Sequence, residues 1–88
     1  MTLNKHGFLS TGYQGSISIT VSGLKCKNWS DTPYARTMSE NKNYCRSPDN
    51  DPVGAWCYAT NQDIRWDYCS FHETLSGNVY FTVFVNVN

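Results

Sequence analysis

Apolar side chains along this 88-residue chain do not recur at the three- and four-residue spacing of a buried helix face. Only three Ala and four Leu are present, and Gly, Asn, Ser, Thr and Asp interrupt nearly every window, so little or no helix is expected. β-branched and aromatic residues gather instead in short runs between turn formers, which predicts short strands over residues 16–21, 55–60 and 64–68. The segments Ser47-Pro48-Asp49-Asn50 and Asp51-Pro52-Val53-Gly54 predict two consecutive turns, since Pro fixes φ and Asp and Asn cap their own backbone. Near the end the pattern changes. Val79, Phe81, Val83, Val85 and Val87 share one side of a period-two alternation, so residues 75–88 read as a strand-like extension.

Leu, Ile, Val and Phe together make only 17 of 88 residues, too few for a large aliphatic core. Net charge is zero and 13 residues are aromatic, which argues for a folded chain in which rings and crosslinks replace aliphatic mass. The balanced charge offers no footprint for nucleic acid. No membrane insertion is expected either, because the most apolar run, Val79 to Val85, is far shorter than the roughly 20 residues a spanning helix needs.

Cys26, Cys45, Cys57 and Cys69 are even in number, and none forms the short Cys-x-x-Cys pair of redox or zinc sites. Two disulfides in an oxidising, extracellular or secretory compartment are therefore expected. Their connectivity has three possibilities from sequence alone. The opening decapeptide MTLNKHGFLS lacks the apolar stretch of a signal peptide, so the chain reads as a fragment or a truncated gene product, with a multidomain parent expected.

Several fingerprints then fall in order. Tyr13-Gln14-Gly15, Ser18-Ile19-Thr20-Val21-Ser22-Gly23-Leu24-Lys25-Cys26 and Trp29 resemble the first half of a kringle domain. Asn43-Tyr44-Cys45-Arg46-Ser47-Pro48-Asp49, Trp56-Cys57-Tyr58 and Arg65-Trp66-Asp67-Tyr68-Cys69 resemble its second half. Cys45 to Cys57 and Cys57 to Cys69 are both 12 residues, the kringle spacing. The resemblance implies a small, disulfide-rich fold of loops, turns and short antiparallel hairpins, with overlapping pairs Cys26–Cys57 and Cys45–Cys69. It divides the chain into a lead-in (1–12), a kringle-like domain (13–74) and the C-terminal extension (75–88). There are departures. Kringles normally carry six cysteines with an outer bridge joining the ends, and its partners would fall near Lys5 and Thr74. The stretch between Trp29 and Cys45 is also about ten residues shorter than usual, removing a buried Leu that Met38 or Tyr34 could replace. Ala55 stands where Pro usually precedes the Trp.

An ω-amino carboxylate needs carboxylates for its ammonium, a cation for its carboxylate and an aromatic floor between them. The resemblance implies Asp49 and Asp51 as the anionic end, Trp56, Tyr58 and Trp66 as the trough, and Arg65 as the cationic end. The expected partners are lysine-bearing proteins or free ω-amino carboxylates. The second cation of lysine-binding kringles lies in the shortened stretch, with Lys42 or Arg36 as substitutes. Internal lysines and simple amines should accordingly be favoured over C-terminal lysines. The alternative is a structural or protein-docking kringle that binds no lysine. Trp29, Tyr44 and Tyr68 read as core.

Other chemistries fit less well. Residues 49–54 echo the start of a calcium loop, but Val53 and Thr60 occupy ligand positions. His72 has Ser70 and Glu73 nearby in sequence, yet adjacent residues do not converge as a triad must. No enzyme activity, metal or cofactor is expected.

Overall fold

The computed structural model describes residues 3–71. Two three-residue strands, β1 (Trp56–Tyr58) and β2 (Trp66–Tyr68), form an antiparallel hairpin. Trp56 faces Tyr68, Cys57 faces Asp67 and Tyr58 faces Trp66. Both strands fall inside the runs predicted for them but are shorter. The ladder stops short of Ala55 because Leu9 intervenes: Ala55 N–H donates to Leu9 O and Leu9 N–H takes Cys69 O, each at 2.9 Å, leaving only the Cys69 N–H to Ala55 O bond across the hairpin. The connection before β2 is a side-chain-capped turn, with Asn61 Oδ1 accepting the N–H groups of Asp63 (2.7 Å) and Ile64 (3.0 Å).

The strand predicted over residues 16–21 does not form. Only isolated bridges occur there, Ile19 with Lys25 and Thr20 with Cys69. The chain instead reverses immediately. Thr20 N–H donates to Leu24 O (2.8 Å), Leu24 N–H returns to Thr20 Oγ1 (3.0 Å), and Gly23 takes the positive φ of +84° that this turn requires.

The shortened segment carries the little helix that the described residues contain. A single turn, α1 (Ala35–Met38), is flanked by 3-10 turns at Trp29–Asp31 and Ser39–Asn41. Thr32 prepares its entry by donating Oγ1–H to Trp29 O (2.7 Å) while accepting Tyr34 N–H (3.1 Å). Tyr34 and Met38, four residues apart, both pack on the core. Both residues considered as replacements for the missing Leu thus lie against the core.

Cys26 pairs with Cys57 and Cys45 with Cys69, and all four sulfurs are buried. The pairs pack together in the interior, with Cys26 Sγ and Cys45 Sγ 3.8 Å apart. Each bridge constrains the unfolded chain and contributes about 2–4 kcal/mol in the usual range. Around them lie Leu9, Trp29, Ala55 and Trp56, a core more of rings and sulfur than of aliphatic residues.

The ends of the described chain are joined without a disulfide. Leu9, fully buried, donates its N–H to Cys69 O at 2.9 Å, and Ser70 Oγ donates to Gly7 O at 2.9 Å. Phe8 stacks on Tyr68, centroids 5.0 Å apart and planes within 14°. The core therefore extends back into residues 8–9. Gly54 permits this approach: a Cβ there, at φ +150°, would sit 2.6 Å from Leu9 O. The alternating residues of the C-terminal extension lie outside the described residues.

Candidate functional site: an aromatic cleft with charged ends

The hairpin explains the cleft. Side chains two apart on a strand share a face, so Trp56 and Tyr58 of β1 project with Trp66 and Tyr68 of β2, and Cys57 turns inward to its disulfide. The rings meet edge to face: Trp56–Tyr58 at 5.1 Å, Trp56–Trp66 at 5.8 Å and Trp66–Tyr68 at 5.0 Å between centroids. Trp56 is mostly buried, whereas Trp66 is 44 % exposed and presents a free face.

Two turns bring the carboxylates to this ladder. Asn50 N–H closes the first turn on Ser47 O (3.1 Å), and Asn50 adopts φ +54°, a region that Asn tolerates well. Ser47 Oγ accepts Asp51 N–H (2.8 Å), and Asp51 Oδ1 accepts Val53 N–H (2.9 Å). Asp49 then lies against the indole of Trp56, accepting its Nε1–H at 3.0 Å, and Asp51 Oδ2 accepts the Tyr68 hydroxyl at 2.8 Å. Both carboxylates thus sit at the Trp56–Tyr68 rung. Hydrogen bonding to Asp51, aided by burial and by the charges of Asp51 and Asp49, pushes the Tyr68 phenol above its ordinary value.

Arg65 marks the other rung. Its guanidinium lies 5.7 Å over the ring of Tyr58, which faces Trp66. Two residues along a strand separate the rungs by about 7 Å.

Together these groups line one cavity of about 400 Å3, walled by Tyr34, Asp49, Asp51, Trp56, Tyr58, Arg65 and Trp66. Asp49, Asp51, Trp56, Tyr58, Arg65 and Trp66, the residues singled out in the sequence for the two ends and the trough, all line it, whereas the two candidates for a second cation do not. Tyr34, considered there only as core filling, is also a wall, edge-on to Trp56 at 6.1 Å. Its signal in sequence was only its place in a shortened loop. Arg36 and Lys42 do not line the cavity. Lys42 is exposed and takes φ +53° at the end of a 3-10 turn, so Arg65 is the cation of this cleft among the described residues.

Of the aromatics read as core, Trp29 is fully buried, its Nε1–H donating to Tyr44 O at 2.7 Å. Tyr44 is half-buried beside Arg46, and Tyr68 is half-buried between Phe8 and the Asp51 contact. Arg46 itself was not foreseen as structural. It is 7 % exposed, lies 5.8 Å from the Tyr13 and 5.3 Å from the Tyr44 ring centroid, and donates to Gly15 O, Cys45 O and Asn41 Oδ1 at 2.7–2.9 Å. Among the described residues no carboxylate pairs with it, and burial draws its guanidinium below the ordinary arginine value.

The described residues contain no helix long and apolar enough to cross a membrane. Comparison with known families matches the model of the kringle domain over residues 8–74. Kringle domains are generally non-catalytic, typically extracellular modules that bind other proteins. With the match covering well over half of its length, the chain belongs to the kringle domain family.

Proposed function

We propose that the cleft binds an alkylammonium group, with a lysine side chain of a partner protein as its natural occupant and free ω-amino carboxylates as small-molecule equivalents. One observation carries this reading: two carboxylates at one rung of an aromatic ladder and a guanidinium at the next line a single cavity of about 400 Å3. The rung spacing of about 7 Å is comparable with the length of a lysine side chain. The methylenes would lie on Trp66 and Tyr58, and the ammonium would reach Asp49, whose Oδ2 has no partner among the described residues. Asp51 has both oxygens engaged by Val53 and Tyr68 and contributes mainly field and orientation.

With two acidic groups against one basic group, the cleft favours a cation over a zwitterion. Internal lysines and simple amines are therefore the preferred ligands. The module does no chemistry on them.

Titration with 6-aminohexanoic acid, followed by Trp fluorescence, tests the reading. A saturable change that moves to about tenfold higher ligand concentration on Asp49→Asn is expected, and a flat trace from the folded, oxidised parent contradicts it. The cleft would then be a docking surface for proteins without a lysine anchor, or a structural feature.

A further inference from the structure

A second concavity, of about 490 Å3, adjoins the first, with Tyr58 and Arg65 lining both. Its other walls include Lys27, Asp31, Asn61 and Gln62. Lys27 is anchored beside Tyr58 by its backbone, N–H to Tyr58 O at 2.7 Å, and its side chain is exposed. Neither Lys27 nor Arg65 forms an ion pair among the described residues. Asn61 spends its side-chain carbonyl on the N–H groups of Asp63 and Ile64, so its amide nitrogen is the end left to donate. Two cations thus line a groove that begins where the amine cleft ends. Asp31 in the same groove limits it to one anion rather than a polyanion.

This second groove bears on which lysines are selected. An internal lysine carries no carboxylate of its own, so Arg65 would be left without a partner when the cleft is filled. In an extended segment, side chains two residues apart share a face and lie about 7 Å apart. We propose that the second groove takes an acidic side chain of the same bound segment, so that the preferred partner carries a lysine with Asp or Glu two residues away. This rests on the amine-binding reading above and names the class of protein segment that site would select. The ammonium meets Asp49, and the carboxylate meets Arg65 and Lys27.

The test uses five probes on the oxidised parent and on Lys27→Gln: pentylamine, the acetylated, amidated peptides Gly-Gly-Lys-Ala-Glu-Gly-Gly and Gly-Gly-Lys-Ala-Gln-Gly-Gly, and the reversed order of each peptide. The Glu peptide in one of the two orders should bind about fivefold more tightly than its Gln counterpart, as two partly exposed charge contacts allow. Lys27→Gln should reduce that preference to about twofold and leave pentylamine affinity unchanged. Saturable pentylamine binding with equal affinities for Glu and Gln peptides in both orders would overturn the inference alone. So would a preference that Lys27→Gln leaves undiminished. Failure of pentylamine to bind at all would overturn the amine reading, and this inference with it.

Discussion

The Tyr68 hydroxyl donates a 2.8 Å hydrogen bond to Asp51 Oδ2, while the same ring stacks on Phe8 at 5.0 Å. The N-terminal segment is thereby coupled to the acidic end of the cleft through one side chain. Because the folded protein holds the Tyr68 proton more tightly than the unfolded chain does, the stability from this contact is complete below the ordinary phenol value. It is lost as pH rises through the higher folded value. Melting temperature should therefore decline above about pH 10. Tyr68→Phe should lower stability near neutral pH by about 1 kcal/mol and flatten that alkaline decline. An unchanged alkaline profile in the variant would contradict the assignment.

The two carboxylates should separate by experiment. Asp51 satisfies Val53 N–H and the Tyr68 hydroxyl, whereas Asp49 is exposed and accepts from Trp56 Nε1–H and Ser47 Oγ. Asp51→Asn is expected to cost about 1–2 kcal/mol of stability as well as ligand affinity. Asp49→Asn should change stability by less than about 1 kcal/mol yet weaken amine binding by about tenfold. Denaturant melts paired with amine titrations distinguish them, and the reverse ranking would sink this division of roles.

Arg65 is exposed and lies over Tyr58, within reach of a ligand carboxylate but at the opposite rung from the ammonium. Arg65→Ala should weaken 6-aminohexanoic acid by about three- to fivefold while leaving pentylamine within about twofold. Equal losses for the two ligands in isothermal titration would place Arg65 in a general role instead.

Arg46 is expected to matter for folding rather than binding. Its guanidinium donates to two backbone carbonyls and Asn41 Oδ1 at 2.7–2.9 Å and lies near the Tyr13 and Tyr44 rings. Lysine lacks the planar fork, so Arg46→Lys should not rescue it. Arg46→Met should destabilise by about 2–4 kcal/mol through the acceptors left unpaired. Chemical denaturation measures both, and a loss within 0.5 kcal/mol, the usual range for a surface substitution, would refute the role.

What could be read from the sequence follows where the physics is local. Cysteine number and spacing point to a small crosslinked fold, and the alternation in Trp56-Cys57-Tyr58 and Trp66-Asp67-Tyr68 places four rings on one face of a hairpin. The turns at Ser47 and Asp51 were legible from their capping residues. Distant contacts were not. Residues 16–21 have strand-forming composition, but Thr20 and Gly23 close a turn that the β-branched neighbours conceal. Leu9 looks like an ordinary residue of a polar leader until Ala55 and Cys69 supply its backbone partners. Arg46 resembles any surface arginine, because carbonyls from Gly15 and Gln14 reach it from about thirty positions away. The wall formed by Tyr34 depends on how a shortened loop winds into α1, which composition alone does not determine.

The most direct test of the cleft is a heteronuclear NMR titration of the three indole N–H resonances with pentylamine. Trp56 Nε1–H is hydrogen-bonded to Asp49, Trp66 lines the same cavity, and Trp29 Nε1–H is bonded to Tyr44 O outside it. The account predicts saturable shifts of the Trp56 and Trp66 signals, with Trp29 nearly still, at ligand concentrations up to about 10 mM. Three stationary indole signals over that range, or shifts centred on Trp29, would contradict it.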